Sequence, residues 1–181
     1  MKALIAYSSN TGVTEEIARR IGAVMESNGF KVELVNLKKG RPKPDFYNLV
    51  LVGCGIKMGS WIKDSLQFLD SNTSTLRMKP TALFVSCGDA AVEEKRSEAQ
   101  TKYLDEVAAK RGINPISSGL FAGCYRWDKY NFFVKQVVKG VLREGGLVSV
   151  DTGKALDYRD WDAIETWAKD LIVLTGGLNN G

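Results

Sequence analysis

The sequence predicts an α/β protein built on a doubly wound parallel sheet of five strands. Two observations carry that expectation. Short apolar runs alternate with amphipathic stretches along the chain, the order expected of repeated strand–helix–strand units. The apolar runs are also near-continuous rather than alternating, as in strands covered on both faces.

Each element follows from local pattern. Ala3 to Tyr7 reads as a buried strand. Thr14 to Asn28 reads as a helix with Ile17, Ile21, Val24 and Met25 on one face, stopped by Asn28-Gly29. Val32 to Leu37 is a second strand, and Pro42 and Pro44 mark a loop. Leu49 to Val52 is a third strand, followed by Gly53-Cys54-Gly55 and a helix from about Trp61 to Leu69. Thr81 to Val85 forms the fourth strand, Glu94 to Lys110 a charged helix ended by Gly112, and Ile116 to Ala122 the fifth strand. Asp160 to Leu174 closes the domain as a helix, and residues 176–181 are expected to fray. Residues 125–159 exceed what a five-stranded unit needs and read as an insertion in a single domain spanning 1–181. Within it, Asn131 to Leu142 has an apolar face of Phe133, Val134, Val137, Val138 and Val141, with a basic stripe at Lys135, Lys139 and Arg143. That stripe is a solvated face of an edge-covering helix, or an element that docks a partner or a membrane surface.

Composition narrows the chemistry. The 181 residues include no histidine, which excludes a Ser-His-Asp triad, a Cys-His pair and a histidine-bearing zinc site. The three cysteines stand alone at Cys54, Cys87 and Cys124, so neither a dithiol motif nor a zinc ribbon is present, and no metal is expected. Their odd number and the lack of a signal-peptide core point to a reducing cytoplasm. The net charge of +4 is unevenly placed. Lys38, Lys39, Arg41 and Lys43 form one basic run; Arg126, Lys129, Lys135, Lys139 and Arg143 with Asp128 form another. Two local patches on a mildly acidic body suit a docking surface for acidic partners better than nucleic acid, for which no motif is present.

Ligands of a doubly wound sheet sit at the carboxyl ends of its strands. After the first strand comes Ser8-Ser9-Asn10-Thr11-Gly12-Val13-Thr14, leading into a helix. Hydroxyls, an amide, glycine and a helix start suit a phosphate dianion held by backbone N–H groups, with no cation in the loop itself. The loop lacks the Gly-Lys-Ser/Thr of a nucleotide-triphosphate loop and the three-glycine dinucleotide fingerprint.

The run Ser9, Asn10, Thr11, Gly12, Val13 and Thr14 resembles the FMN-phosphate loop of flavodoxins. Ser86-Cys87-Gly88-Asp89 after the fourth strand resembles their second flavin-contacting loop. Cys54, Gly55, Ile56, Lys57, Met58, Gly59 and Trp61 lie where flavodoxins hold the other side of the ring. The resemblance implies strand order 2-1-3-4-5 and non-covalently bound FMN. Gly123-Cys124, Arg126-Trp127, Asp151-Thr152, Tyr158 and Asp160-Trp161 resemble the flavodoxin-fold menaquinone-dependent protoporphyrinogen dehydrogenases, which carry an insertion here.

The chain departs from flavodoxins in two ways. The loop Asp89-Ala90-Ala91-Val92 holds no aromatic to cover the ring, leaving Trp61, Tyr125 or Trp127 for that role. The chain is also basic. Lys57, in the loop expected near the pyrimidine end of the flavin, is either a cation that favours negative charge there or a solvated lysine. Each cysteine falls at a strand end and reads as a small residue permitting close approach to the ring. The leading expectation is an FMN electron carrier that replaces ferredoxin and docks redox partner proteins through its basic patches, with no catalytic side chain of its own. The alternative is an FMN oxidoreductase of the quinone-dependent protoporphyrinogen dehydrogenase type, using Arg126, Trp127 and Tyr158 as a pocket and its basic helix on a membrane surface. Exposed-looking aromatics of the insertion, Tyr125, Trp127, Tyr130 and Phe132, suggest a homodimer.

Overall fold

In a computed structural model that describes residues 1–126, 135, 139–140 and 156–177, parallel strands run through the centre of the chain. Strand β1 spans Lys2–Ser8, β2 Lys31–Asn36, β3 Leu49–Lys57, β5 Thr81–Cys87 and β6 Ser117–Ala122, in the order β2-β1-β3-β5-β6. Counted as five parallel strands, this is the expected order 2-1-3-4-5. Helix α1 (Val13–Ser27) and α6 (Trp161–Gly177) cover one face. Helices α2 (Lys63–Ser71), α3 (Thr73–Met78), α4 (Glu93–Gln100) and α5 (Glu106–Ala109) accompany the other.

Alternation along each strand divides the core in two. Ala3, Ile5, Leu49, Leu51, Ala82 and Phe84 face α1 and α6, where Ile17, Ile21, Ile164, Ala168 and Leu171 meet them. Leu4, Ala6, Val50, Val52, Leu83 and Val85 face Phe68, Leu69, Leu76 and Leu104. Each large side chain buried here, such as Phe68 or Phe84, contributes roughly 1.5–3 kcal/mol relative to exposure. Helix α1 ends where its sequence predicts. Gly29 takes φ +85°, its N–H donates to the Glu26 carbonyl, and Phe30 N–H donates back to Met25.

Several boundaries differ from expectation. Strand β3 runs beyond Val52 through Lys57, because Gly53, Cys54 and Gly55 still pair with β1 and β5. The chain then turns back: β4 (Ser60–Trp61) pairs antiparallel with Lys57 and Ile56. Trp61 therefore belongs to a hairpin, and α2 starts two residues later. Its connecting residues, Met58 at φ 49° and Gly59 at φ 72°, both take the left-handed conformation of a two-residue hairpin turn. The long charged helix is interrupted by a π-helical turn at Thr101–Asp105 between α4 and α5. Gly176 and Gly177 are helical rather than frayed, and the rest of the expected tail lies outside the described residues.

The insertion leaves and rejoins the domain through a small antiparallel pair, β7 (Cys124–Tyr125) and β8 (Leu156–Asp157). The expected basic helix Asn131–Leu142, apart from Lys135, Lys139 and Gly140, and the insertion's aromatics Trp127, Tyr130 and Phe132 lie outside the described residues. Among the described residues, no helix is long and apolar enough to cross a membrane.

Candidate functional site

The carboxyl ends of β1, β3 and β5 converge on the first turn of α1. Gly12 stands at its N-cap with φ +86°, a conformation that favours glycine, and no side chain caps the helix there. Ser9 Oγ accepts the Gly12 N–H at 3.0 Å and folds the loop over the helix end. Val13 and Thr14 are buried, while Asn10 is exposed and accepts a 2.6 Å bond from Lys38 Nζ. At the root of the loop, Ser8 Oγ is buried without a hydrogen-bond partner. An uncapped helix start, a left-handed glycine and an orphaned hydroxyl fit the phosphate end of the FMN that the sequence resemblance implies.

Thr14, in the first turn of α1 after the β1 loop, meets the ends of β3 and β5. Its hydroxyl lies 2.9 Å from Ser86 Oγ of β5, and a Cβ on Gly55 of β3 would meet the same Thr14 oxygen at 2.9 Å. The three sequence loops therefore do meet, although Gly55 and Ser86 lie in strands. Lys57 is exposed beside Ser60 in the hairpin, Ile56 is half-buried opposite Trp61, and Met58 projects from the turn.

Trp61 is placed differently from the ring-covering role considered for it. It is 6% exposed, packed in the core, and its indole N–H donates to the Tyr103 carbonyl at 2.7 Å. Tyr125 and Tyr158 stand at this edge instead, in an edge-to-face pair with centroids 6.1 Å apart. Tyr125 occupies the space beside Gly88, where a Cβ would collide with its hydroxyl. Asp89, next in that loop, accepts a 3.1 Å bond from Tyr103, a residue of the π-helical turn. Burial, with the Asp89 charge beside it, raises the Tyr103 phenol well above its ordinary range.

The cysteines are free and buried. Cys54 Sγ accepts the Ile62 N–H at 3.1 Å and helps set the hairpin exit. Burial pushes the thiols up, Cys54 to about 12 and Cys87 to about 11, which keeps them protonated and poorly nucleophilic. Cys124 is raised for the same reason. Among the described residues, no group of three or more cysteine, aspartate or glutamate side chains could hold a metal ion.

A charge cluster beside the loop has no local signature in the sequence. Glu16, in the first turn of α1, accepts from Arg126 Nη2 and from Arg159 Nη1, each at 2.6 Å. Arg159 also chelates Asp157 and lies 4.4 Å from the centroid of the Trp161 ring. Burial alone would raise the Glu16 carboxyl; the hydrogen bonds and charges of the two arginines prevail and hold it below the usual range. Arg126 has a further bond, from Nη1 to the Thr11 carbonyl at 3.2 Å. The loop thus has a guanidinium against it, delivered from more than a hundred residues away. Arg126 is legible in the sequence as part of a basic run and as a candidate for a substrate pocket, and no local pattern pairs Glu16 with Arg126 or Arg159.

Known proteins share this frame. The Escherichia coli (strain K12) protein named protoporphyrinogen IX dehydrogenase [quinone] is 24% identical over 176 residues, covering 97% of each chain. The protein of the same name from Leishmania major is 25% identical over 175 residues, 96% of this chain and 75% of that one. Oxidised flavodoxin 2 from Bacillus cereus superposes with a TM-score of 0.58 at 20% identity, over 98% of this chain and 99% of that one. The family model described as a flavodoxin domain matches residues 4–147, from the first strand into the insertion. The chain belongs to the flavodoxin domain family.

Proposed function

We propose that this protein binds FMN non-covalently and is an oxidoreductase that dehydrogenates protoporphyrinogen IX with a quinone as acceptor. One observation carries the choice over a simple electron carrier. The E. coli protein named for that activity is similar in sequence along 97% of both chains, whereas the flavodoxin superposition, although equally long, is a likeness of fold at 20% identity. The stalk of the insertion, β7 and β8, stands at the ligand edge and brings Tyr125 and Arg126 beside Gly88 and Thr11.

FMN, when bound, supplies the hydride and electron transfer. The chain's residues bind and orient it. Ser9 through Thr14 hold the phosphate with backbone N–H groups and hydroxyls at the start of α1. Gly55 makes room for the Thr14 hydroxyl and Gly88 for Tyr125, so the strand ends pack closely on the first turn of α1 and on the insertion, and Tyr125 and Tyr158 wall that edge from the insertion side. The Lys57–Trp61 hairpin continues from the end of β3 at the same edge. With no histidine in the chain, side-chain proton transfer has few candidates, which suits chemistry carried by a cofactor.

A second reading is an electron carrier between redox proteins. The exposed basic run at Lys38, Lys39 and Lys43 beside the phosphate loop supports it, because such a patch steers acidic partners. The two readings separate in one experiment. The FMN-loaded protein is given protoporphyrinogen IX with menaquinone, and in parallel a reductant with a ferredoxin-dependent enzyme. Quinone-dependent appearance of porphyrin fluorescence supports the first reading. Turnover of the ferredoxin-dependent enzyme without porphyrin formation replaces it with the second.

A further inference from the structure

A phosphate dianion in an uncharged loop is held by dipoles alone, yet two cations approach this loop from elsewhere in the chain. Lys38 touches it only through the exposed side chain of Asn10. Arg126 lies against its backbone: Nη1 donates to the Thr11 carbonyl at 3.2 Å and would lie 3.3 Å from a Cβ placed on Gly12. We propose that Arg126 is the charged residue of the phosphate site, reaching FMN from the base of the insertion, with Glu16 holding its guanidinium in place. The inference rests on the FMN reading above and assigns this residue a role in it.

The two arginines on Glu16 differ in what they have to offer. The Arg159 side chain is 5% exposed and is committed to Asp157 through Nε and Nη2 and to Glu16 through Nη1. It neutralises Glu16 and ties β8 to α1. The Arg126 side chain is 23% exposed, and its bonds to Thr11 and Glu16 use part of a five-donor fork. A planar guanidinium matches two phosphate oxygens at once, which an exposed ammonium such as Lys38 does not. Glu16 and Asp157 together balance the two arginines, so what Arg126 offers the phosphate is a directed guanidinium beside the Thr11 carbonyl rather than a net positive field. The same placement gives the insertion a reason to begin here, since Arg126 immediately follows β7.

The test compares FMN with riboflavin, which lacks the phosphate, by quenching of flavin fluorescence. The proteins are the unmodified chain, Arg126→Gln, Arg126→Lys and Lys38→Gln. Loss of a charge-assisted contact should weaken FMN about tenfold to a hundredfold in Arg126→Gln while riboflavin affinity stays within about twofold. Arg126→Lys should recover part of the FMN affinity, Lys38→Gln should change it less than about twofold, and the salt dependence of FMN binding should flatten in Arg126→Gln. Should Arg126→Gln fail to fold, the Arg126→Lys and Lys38→Gln comparison decides alone. Equal weakening of both flavins, no change in either, or an FMN-selective loss in Lys38→Gln instead overturns the assignment. If the unmodified protein binds neither flavin, the FMN reading itself fails; if it binds FMN and only the Arg126 variants disappoint, that reading stands without this residue.

Discussion

Thr14 and Ser86 are separated by 72 residues, yet their hydroxyls share a buried 2.9 Å hydrogen bond that ties the first turn of α1 to the end of β5. The bond fixes the phosphate loop to the strand that leads into Gly88 and Asp89. Thr14→Val keeps the shape and leaves Ser86 without this partner, so stability should fall by about 1–3 kcal/mol. Adding Ser86→Ala should recover part of the loss. Urea unfolding of the four proteins of the cycle measures the coupling, and strict additivity would show that the pair is not coupled.

Glu16 makes acid stability depend on the arginine clamp. Its carboxyl is held below the ordinary 4.5, and Asp157, bonded to Arg159, below 3.8. A depressed carboxylate contributes stability that is fully present above its unfolded pKa and lost as pH falls through the folded one. Stability should therefore fall on the acid side, below about pH 4.5. Glu16→Gln should lower stability at pH 7 and flatten that part of the profile, as followed by thermal unfolding across a pH series.

The native thiols should be slow to alkylate. With Cys54 raised to about 12 and Cys87 to about 11 by burial, the thiolate fraction at pH 8 is very small. Iodoacetamide should label these positions much faster in urea than in the native protein, as mass spectrometry would resolve site by site. Equal native and unfolded rates would contradict the burial.

Gly53 shows how tightly the paired strands β3 and β5 pack side by side. A Cβ there would fall onto the buried ring of Phe84. Gly53→Ala should cost about 1–3 kcal/mol, since the ring has little room to withdraw. Denaturant unfolding reads this directly.

Met58 sits at φ 49° and is 95% exposed. Met58→Asn places a residue that tolerates the left-handed region before Gly59, where Asn-Gly is the preferred two-residue turn. No packing is lost, so stability should rise by about 0.5–1 kcal/mol. A fall in the unfolding midpoint would place the importance of Met58 in contacts of its side chain.

What the amino-acid order determined on its own was the frame of alternating strands and helices and the polar loop running into α1; the order 2-1-3-4-5 followed from the resemblance to flavodoxins. The frame and the loop depend on periodicity and on capping and turn chemistry, which act over a few residues. The hairpin at Lys57–Trp61 is not legible in the sequence because glycines in a strand read as a strand end, and only pairing with β1 and β5 keeps Gly53–Gly55 extended. The core position of Trp61 and the contact between Tyr103 and Asp89 depend on how α4 and the π-helical turn pack. The clamp of Arg126 and Arg159 on Glu16 was decided by tertiary structure alone. Ion pairs across 110 and 143 residues leave no local pattern, because they form only when β7 and β8 bring the insertion's two ends against α1.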